Sequence, residues 1–283
     1  MNTIIVDKKR CGKCGICISF FDGYCMTEED GSLVIDRDIC NRCQKCITIC
    51  PHQAISMNGI PPTRITDELI EKRIGYDELV TLLRFRRSTK RFVRRDVPKD
   101  IITKIAKSAK YAPNQNKNIE ILIIDDPEII RLIDLNALNF IKRLYKLMFS
   151  LKLVTRFVGI FSGSIYIIKK KMERDLFVDK RIVKENTNVI LLTIGNPRVP
   201  TTEMSAQYLL ETMMLTAVSL DIGCTLMDSI KLTINHNRKL KRMLGIGRSD
   251  KVLGVLTLGY SGENRLNIPN GYEVNLHWNA IGN

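Results

Sequence analysis

The sequence predicts an α+β protein in two parts, a small cysteine-rich domain followed by a larger domain of helices and strands. Eight of the nine cysteines lie within the first fifty residues. A turn and linker signal, Asn-Gly-Ile-Pro-Pro, occupies residues 58–62. Beyond it, apolar residues at helical spacing alternate with short apolar runs typical of buried strands. We therefore expect a domain at residues 1–62, a linker at 63–75 and a second domain at 76–283 with one sizeable core.

The cysteines form two runs of similar spacing. In each run, three cysteines follow one another at three-residue intervals and a fourth comes later: Cys11, Cys14, Cys17 and Cys25, then Cys40, Cys43, Cys46 and Cys50. The second run ends in Cys-Pro, with Pro51. This spacing is typical of a loop that wraps one 4Fe–4S cluster and sends its fourth thiolate to another cluster. Two runs therefore predict two clusters.

The fourth cysteine of each run is expected to ligate the cluster of the other run, as in two-cluster bacterial ferredoxins. This assigns one site to Cys11, Cys14, Cys17 and Cys50, and the other to Cys40, Cys43, Cys46 and Cys25. The first run departs from the usual pattern, because its last spacing is longer and Met26 replaces the expected proline. We expect the longer loop to change the exposure of that cluster rather than its existence.

Zinc and disulfide bonds are the alternatives for these cysteines. A structural zinc takes four ligands, so the third cysteine of each run would have no role. A disulfide scaffold is typical of secreted proteins, and residues 1–10 contain no apolar signal core. Iron–sulfur binding is therefore the favoured interpretation. The ninth cysteine, Cys224, stands alone and is predicted to be buried.

The formal net charge is +14, and the excess lies beyond residue 62, because acidic and basic residues balance before it. A basic surface attracts nucleic acid, anionic membranes, phosphate-bearing cofactors or acidic redox partners. Aromatic residues do not interleave with the basic ones, so we expect no nucleic-acid binding. The longest uncharged apolar run, residues 157–168, is too short to span a bilayer, so we expect no stable membrane insertion. Oxygen-sensitive clusters favour a cytoplasmic location.

Apolar spacing predicts the elements of the larger domain. Helices are expected at residues 76–87, from Pro98, from near Pro127, at 203–220 and at 240–246. Strands are expected at 119–124, 189–194 and 252–258. The helix at 203–220 is apolar over most of its circumference, so it should be buried on more than one side. The basic stretch 139–171 is expected to cover a pocket or a subunit contact, with membrane association as the alternative.

Four stretches of the larger domain resemble motifs of the nitroreductase family of FMN enzymes, in the family's order. They are RRSTKRF at 86–92, VPKDIITKIAKSAKYAPNQNKN at 97–118, LLETMMLTAVSLDIG at 209–223 and LGVLTLGY at 253–260. The cysteine-rich part looks like the ferredoxin module fused to some nitroreductases. The resemblance implies an α+β domain with a mixed sheet surrounded by helices, preceded by a small ferredoxin-like 4Fe–4S domain. It also implies a homodimer with FMN at the subunit interface.

The resemblance further implies an FMN site. Arg86 and Ser88 match the family positions that bind the phosphate and the ribityl chain, and Arg87 stands beside them. Lys90 matches the residue near the pyrimidine edge of the flavin, where a cation stabilises the charge that accumulates on reduction. The remaining matches are Asn116 from the second subunit, the backbone at Asp228 and Ser229 near flavin N5, and Arg265 as a phosphate contact, since Asn270 replaces the usual arginine. The alternative is an exposed basic helix end.

The predicted function is that of an FMN-dependent oxidoreductase passing electrons from iron–sulfur clusters to FMN and on to a nitroaromatic, a quinone or a similar small acceptor. A redox protein and NAD(P)H are both candidate electron donors. No catalytic side chain is predicted. One alternative is a flavin and iron–sulfur relay between redox proteins, steered by the basic charge. Another is a zinc-bearing nucleic-acid binder, which would hold no flavin.

Overall fold

The computed structural model describes residues 3–21, 23–40, 42–113, 119–149, 163–276 and 278. In the cysteine-rich part the elements are β1 (Ile4–Val6), α1 (Ile16–Phe20), β2 (Met26–Glu29), β3 (Ser32–Ile35), α2 (Lys45–Ile49) and β4 (Ile55–Met57). β1 pairs antiparallel with β4, and β2 pairs antiparallel with β3. The first pair joins the two ends of this part of the chain, so both cysteine runs are enclosed in one small unit.

The larger part contains eight helices and four strands within the described ranges. They are α3 (Asp67–Glu71), α4 (Tyr76–Phe85), α5 (Lys99–Ser108), β5 (Glu120–Ile124), α6 (Pro127–Phe149), α7 (Gly163–Glu173), β6 (Val189–Gly195), α8 (Thr202–Ser219), β7 (Gly223–Leu226), α9 (Asp228–His236), α10 (Arg238–Met243) and β8 (Lys251–Gly259). A 3₁₀ turn, Ala109–Tyr111, follows α5, and a π-helical turn, Arg174–Val178, follows α7. Among these helices none is long and apolar enough to cross a membrane.

The four strands of the larger part form one sheet in the order β5-β6-β8-β7, and each neighbouring pair is antiparallel. A register shift interrupts the β6–β8 pairing between Thr193 and Ile194. Ser88 adds a parallel bridge to Cys224 of β7. The sheet is therefore mixed, and the segment that follows α4 lies along its β7 edge.

The sheet is buried on both faces because helices cover each of them. All seven residues of β6 are buried, and their side chains alternate between two apolar clusters. Val189 and Leu191 pack with α5 and α8, whereas Ile190 and Leu192 pack with α6 and α9. α8 buries residues around much of its circumference, as its sequence predicts. The α+β class and the helical layers around the sheet are thus confirmed.

Most of the predicted elements are present, and the differences have local causes. The three predicted strands are found within one residue of their expected bounds at each end. The first helix ends at Phe85 rather than at residue 87, because Arg86 is extended and Ser88 then pairs with β7. The short helix expected at 240–246 is α10, which begins earlier because Asn237 caps it by accepting hydrogen bonds from the next N–H groups. The sequence analysis did not predict β7 and α9.

The basic stretch 139–171 includes the end of α6, the segment 150–162 outside the described residues, and most of α7. The connection after α7 is fixed to α6 by Asp134. Its Oδ1 accepts hydrogen bonds from the backbone N–H groups of Ile182 and Val183 at 2.7 and 2.8 Å. This attachment positions the charged residues on either side of the π-helical turn.

The buried centre of β6 gives a test of the fold. Leu191 is fully buried, so Leu191→Ala removes side-chain atoms and leaves a cavity. We expect it to lower the free energy of unfolding by about 2–5 kcal/mol. Leu232→Ala on α9 is the matched control, because Leu232 is 42% exposed, and its cost should be below about 1 kcal/mol. Reversible urea unfolding followed by circular dichroism measures both; equal losses would contradict the described core.

Candidate cofactor sites

The two cysteine runs begin with the same turn. The side chain of Asp7 accepts hydrogen bonds from the N–H groups two and three residues later, at 2.9 and 3.3 Å, and its backbone oxygen accepts the N–H of Cys11 at 3.0 Å. Asp36 makes the corresponding side-chain bonds at 2.9 and 3.2 Å and the backbone bond to Cys40 at 3.0 Å. The repeat therefore includes an aspartate four residues before the first cysteine, which the sequence analysis missed although its spacing was visible.

The backbone around the middle cysteine also repeats. The residues on either side of it have positive φ in both runs: 50° at Lys13 and 68° at Gly15, then 59° at Arg42 and 63° at Gln44. Positive φ is uncommon outside glycine, so its recurrence at three other residue types shows a shared constraint. Loops of this kind turn backbone N–H groups inward and favour anionic groups. The two runs thus have the same local geometry as well as similar cysteine spacing.

The first predicted set of thiols lies around one cavity, which is lined by Cys11, Cys14, Cys17 and Cys50. The backbone N–H of Ala54 points to Cys50 Sγ at 3.3 Å. Burial raises the pKa of the Cys17 thiol, and Cys50 and Cys14 add to the shift. Neighbouring thiols of this kind gain from a cation, because a metal centre favours the thiolate form.

The second predicted set is also close in space. Cys25 and Cys40 are hydrogen-bonded to each other, and burial is the main cause of the raised pKa of Cys25. Burial raises the pKa of Cys46 to about 12, with repulsion from Cys40 and Cys43 as further causes. Within the described ranges, no three His, Cys, Asp or Glu side chains are arranged to hold a single metal ion. The structure brings together the members of each set, and their role as cluster ligands stays a prediction.

Two buried donors in the described part of the chain lack a hydrogen-bond partner. They are Nη1 of Arg42 and Nε of Arg87. Arg42 lies in the second cysteine loop between Cys40 and Cys43, and Arg87 belongs to the predicted FMN segment. An unsatisfied buried donor costs about 1–3 kcal/mol, and more for a charged group. Both residues therefore fit sites at which an anionic cofactor supplies the acceptor.

The predicted FMN segment is extended and joined to β7. The N–H of Thr89 donates to Cys224 O at 2.9 Å, and Thr225 Oγ1 donates to Thr89 O at 2.5 Å. On the other side, the N–H of Val93 donates to Tyr260 O at 2.9 Å. The segment 86–93 is therefore held between β7 and the chain that follows β8. Its backbone position depends on partners that are more than 130 residues away in the sequence.

A cleft with a volume of about 770 Å³ lies beside this segment. Arg87, Thr89 and Arg265 line it, together with α4 and the end of α8. The guanidinium of Arg265 donates to Phe85 O at 3.3 Å and to Thr89 Oγ1 at 3.4 Å. The structure thus brings Arg87 and Arg265 to the same cleft, although they come from opposite ends of the domain.

Glu263 is a further residue of this cleft, and the sequence analysis did not single it out. Its carboxylate accepts the backbone N–H of Lys90 and that of Arg91, and it pairs with Arg265 at 2.9 Å. Burial alone would raise the pKa of Glu263, but the Lys90 N–H and the Arg265 guanidinium outweigh it and hold that pKa below its ordinary value. Glu263 is therefore ionised at neutral pH and neutralises part of the positive charge of Arg265.

The other predicted residues lie near the same sheet edge or outside the described part. Because Ser88 is opposite Cys224 in parallel register, Lys90 lies level with the end of β7, two residues before α9 begins. Asp228 and Ser229 open α9, where the first N–H groups have no partner within the helix. Ser88 and Lys90 are exposed and line none of the 770 Å³ cleft. Asn116 lies outside the described residues.

Arg86 and Cys224 lie close together at the start of this edge. Arg86 is half-buried, and Cys224 is 2% exposed, which confirms its predicted burial. Burial raises the pKa of Cys224 to about 11, although Arg86 and Arg265 act in the opposite direction. The thiol is therefore neutral at physiological pH and does not offset the positive charge of Arg86.

Two family models match the chain. The model described as the nitroreductase family matches residues 83–260, and the model described as a 4Fe–4S binding domain matches residues 33–55. The first range contains the sheet and the cleft. The second range contains all four cysteines of the second run and none of the four of the first run.

Solved structures give the same fold assignment. A nitroreductase with bound FMN from Bacteroides fragilis is 17% identical, with a TM-score of 0.51, and the match covers 71% of this chain and 99% of that one. A nitroreductase with bound FMN from Desulfitobacterium hafniense is 14% identical, with a TM-score of 0.53, and the match covers 71% and 96%. An iodotyrosine deiodinase bound to FMN and 3-iodo-L-tyrosine is 16% identical, with a TM-score of 0.53, and covers 72% and 100%. At these identities the likeness shows the fold alone.

A search of curated proteins found no significant match. The nitroreductase model nevertheless spans well over half of the sequence, including all four strands of the main sheet. The segment 86–93, β7 and the chain after β8 meet within or next to that range. The chain belongs to the nitroreductase family of oxidoreductases and carries a 4Fe–4S binding domain before its catalytic fold.

Proposed function

We propose that this protein is an FMN-dependent oxidoreductase that receives electrons through two 4Fe–4S clusters and delivers them to a small acceptor, such as a nitroaromatic or a quinone. The observation that carries the proposal is the repeated geometry of the cysteine runs. The second run lies in the range matched by the 4Fe–4S model, and the first run has the same aspartate turn and the same positive-φ positions. This shared geometry supports the interpretation of the first run as a second cluster site.

When bound, the clusters supply single-electron transfer and FMN exchanges one or two electrons. The chain's own groups bind and orient these cofactors. The thiolates of each four-cysteine set would hold the irons, and the Ala54 N–H already points to Cys50 Sγ. Arg42 would satisfy its orphaned Nη1 at the second cluster site. Hydrogen bonds to cluster sulfurs raise the reduction potential, because they stabilise the more negative, reduced form.

The FMN site is proposed along the segment 86–90. Its support is the orphaned donor of Arg87, the nearby guanidinium of Arg265 and the FMN-bound relatives of the same fold. A phosphate accepting from Arg87 would satisfy that buried nitrogen with a charge-assisted hydrogen bond. Arg86 and Ser88 would hold the rest of the phosphate and ribityl chain, and Lys90 would lie at the pyrimidine edge. The N–H groups at Asp228 and Ser229 would face N5.

We also propose a homodimer. In the described chain, α4 presents Leu83 and Phe85 at 43% and 50% exposure. The chain after β8 adds Leu266, Tyr272 and Leu276, which are 75–90% exposed. Exposed apolar side chains in such number are typical of a subunit interface. Sedimentation equilibrium should therefore give twice the chain mass of 32.3 kDa, and a monomer at micromolar concentration would contradict the proposal.

The cluster assignment predicts the iron content of cysteine variants. Anaerobically purified protein should contain about eight irons per chain, and Cys14→Ala or Cys43→Ala should each reduce this to about four. The control is Cys224→Ala, because Cys224 belongs to neither set, and it should retain the full content. Iron and acid-labile sulfide assays with electron paramagnetic resonance of the reduced protein measure this. If the parent protein contained four irons and Cys14→Ala contained the same number, the protein would hold one cluster and the two-cluster assignment would be wrong.

The FMN assignment predicts the effect of Arg87→Ala. Loss of a buried charge-assisted hydrogen bond costs about 1.5–3 kcal/mol, so the Kd for FMN should rise by about tenfold or more. Arg94→Ala is the control, because it removes the same charge from an exposed residue outside the cleft. Fluorescence titration of flavin-free protein measures both affinities.

The activity itself is tested on the same samples. Protein reduced anaerobically with dithionite should be reoxidised by 4-nitrobenzamide or by a benzoquinone only when FMN is bound. The FMN concentration required should follow the order of the measured Kd values. Reoxidation that is equally fast without flavin, or no FMN binding by the parent protein, would overturn the proposed function.

A further inference from the structure

A separate cavity, of about 790 Å³, is lined in part by residues 90–92 of the segment 86–93. Its lining contains six cationic side chains: Lys90, Arg91, Lys171, Arg174, Arg181 and Lys184. Three carboxylates line it as well, so the lining has a net formal charge of +3. The cavity joins the predicted flavin segment to the helical connection that follows α7.

Two of the three carboxylates are already paired. Asp179 lies 3.6 Å from Arg174, and Glu185 lies 3.3 Å from Arg181. Each of these pairs is local in the sequence, so it neutralises one arginine without reaching across the cavity. Asp175 is the third carboxylate of the lining, and it alone is available there to balance the four other cations.

Asp175 is shared between two lysines. Burial raises the pKa of its carboxyl, and the positive charges of Lys184 and Lys171 act in the opposite direction. Both lysines are thus close enough to interact with one half-buried carboxylate. In the described part of the chain, neither Lys90 nor Arg91 forms an ion pair through its side chain. The positive charge of the cavity therefore exceeds what its own carboxylates balance.

We propose that this cavity binds the negatively charged group of the electron acceptor, so that the preferred acceptor is a small molecule bearing a carboxylate or a phosphate. The inference rests on the proposed function, because Lys90 would lie at once beside the flavin and in the cavity lining. A ligand held here lies next to the ring. The volume of about 790 Å³ accommodates a small organic anion and excludes a folded protein.

The position of the cavity separates it from the proposed phosphate contacts of FMN. Arg87, Thr89 and Arg265 line the 770 Å³ cleft, whereas Lys90 and Arg91 line this cavity. The two spaces share no lining residue. The FMN phosphate would therefore use the cations of the cleft, and the cations of the cavity other than Lys90 have no role in FMN binding.

The test compares acceptors that differ in charge. Protein with FMN bound, reduced by dithionite, is reoxidised under stopped flow at pH 8 by 4-nitrobenzoate, by 4-nitrobenzylphosphonate and by neutral 4-nitrobenzamide. For each variant, the reoxidation rate with the anionic acceptor is divided by the rate with the neutral acceptor. This ratio is then divided by the same ratio for the parent protein, so that the intrinsic reactivity of each compound cancels. We expect Lys171→Gln/Lys184→Gln to lower this ratio by about three- to tenfold, since each partly exposed charge contributes about one- to fivefold. The carboxylate and phosphonate arms show which group is preferred.

A variant of opposite sign guards against simple structural damage. Asp175→Asn removes the shared carboxylate, so it should raise the same ratio by about two- to fivefold. Lys107→Gln/Lys239→Gln is the matched control, because it removes two exposed positive charges from α5 and α10, outside the cavity. Its ratio should stay near that of the parent protein. The effects at the cavity should shrink as ionic strength rises.

Binding without turnover gives an independent measurement. Isothermal titration calorimetry should show benzoate binding more tightly than benzamide to the oxidised protein, and Lys171→Gln/Lys184→Gln should lose the difference. Protein that holds FMN and reduces 4-nitrobenzamide, but shows equal ratios in every variant and no preference for benzoate, overturns this inference alone. Protein that binds no FMN overturns the inference together with the proposed function.

Discussion

The pairing of residues 88–93 with two distant partners is the constraint on which the rest of the larger domain depends. Its backbone bonds reach β7 on one side and the chain after β8 on the other. Two glycines allow this close approach. A Cβ at Gly223 would lie 2.7 Å from Thr89 Oγ1, and a Cβ at Gly259 would lie 2.8 Å from Phe92 Cδ1. A larger residue at either position would therefore clash with the Thr89 or the Phe92 side chain of this segment.

The same pairing separates positive charge into two spaces. On one side Arg265 is already paired with Glu263, so that cleft contains a partly neutralised cation next to the unsatisfied nitrogen of Arg87. In the 790 Å³ cavity, Lys90 and Arg91 add their positive charge to a lining whose carboxylates are too few to balance it. Glu263 links the two, because it receives the backbone N–H groups of Lys90 and Arg91 while it pairs with Arg265. Electrostatics in this domain therefore follow directly from backbone pairing.

The cysteine-rich domain has little apolar material of its own. In its described part, the hydrophobic cluster contains five buried residues, and two of them are the predicted ligands Cys25 and Cys46. A unit of this size rarely folds on apolar burial alone, so bound metal centres would contribute directly to its stability. The aspartate turns and the positive-φ loops hold the thiols in place with local bonds, which suits a domain with so small a core.

Local patterns were enough to predict the cysteine sets, the buried strand β6 and the surrounding helices, because each of these features depends on spacing within a few residues. The end of α4 and the whole of β7 escaped prediction, since the chain leaves the helix at Arg86 and Ser88 pairs with a strand that has only four residues. Glu263 escaped as well, because its partner Lys90 is 173 positions away and no local signal connects them. The division of cations between cleft and cavity was decided only by tertiary structure, because the chain after β8 and the connection after α7 bring lining residues from distant parts of the sequence.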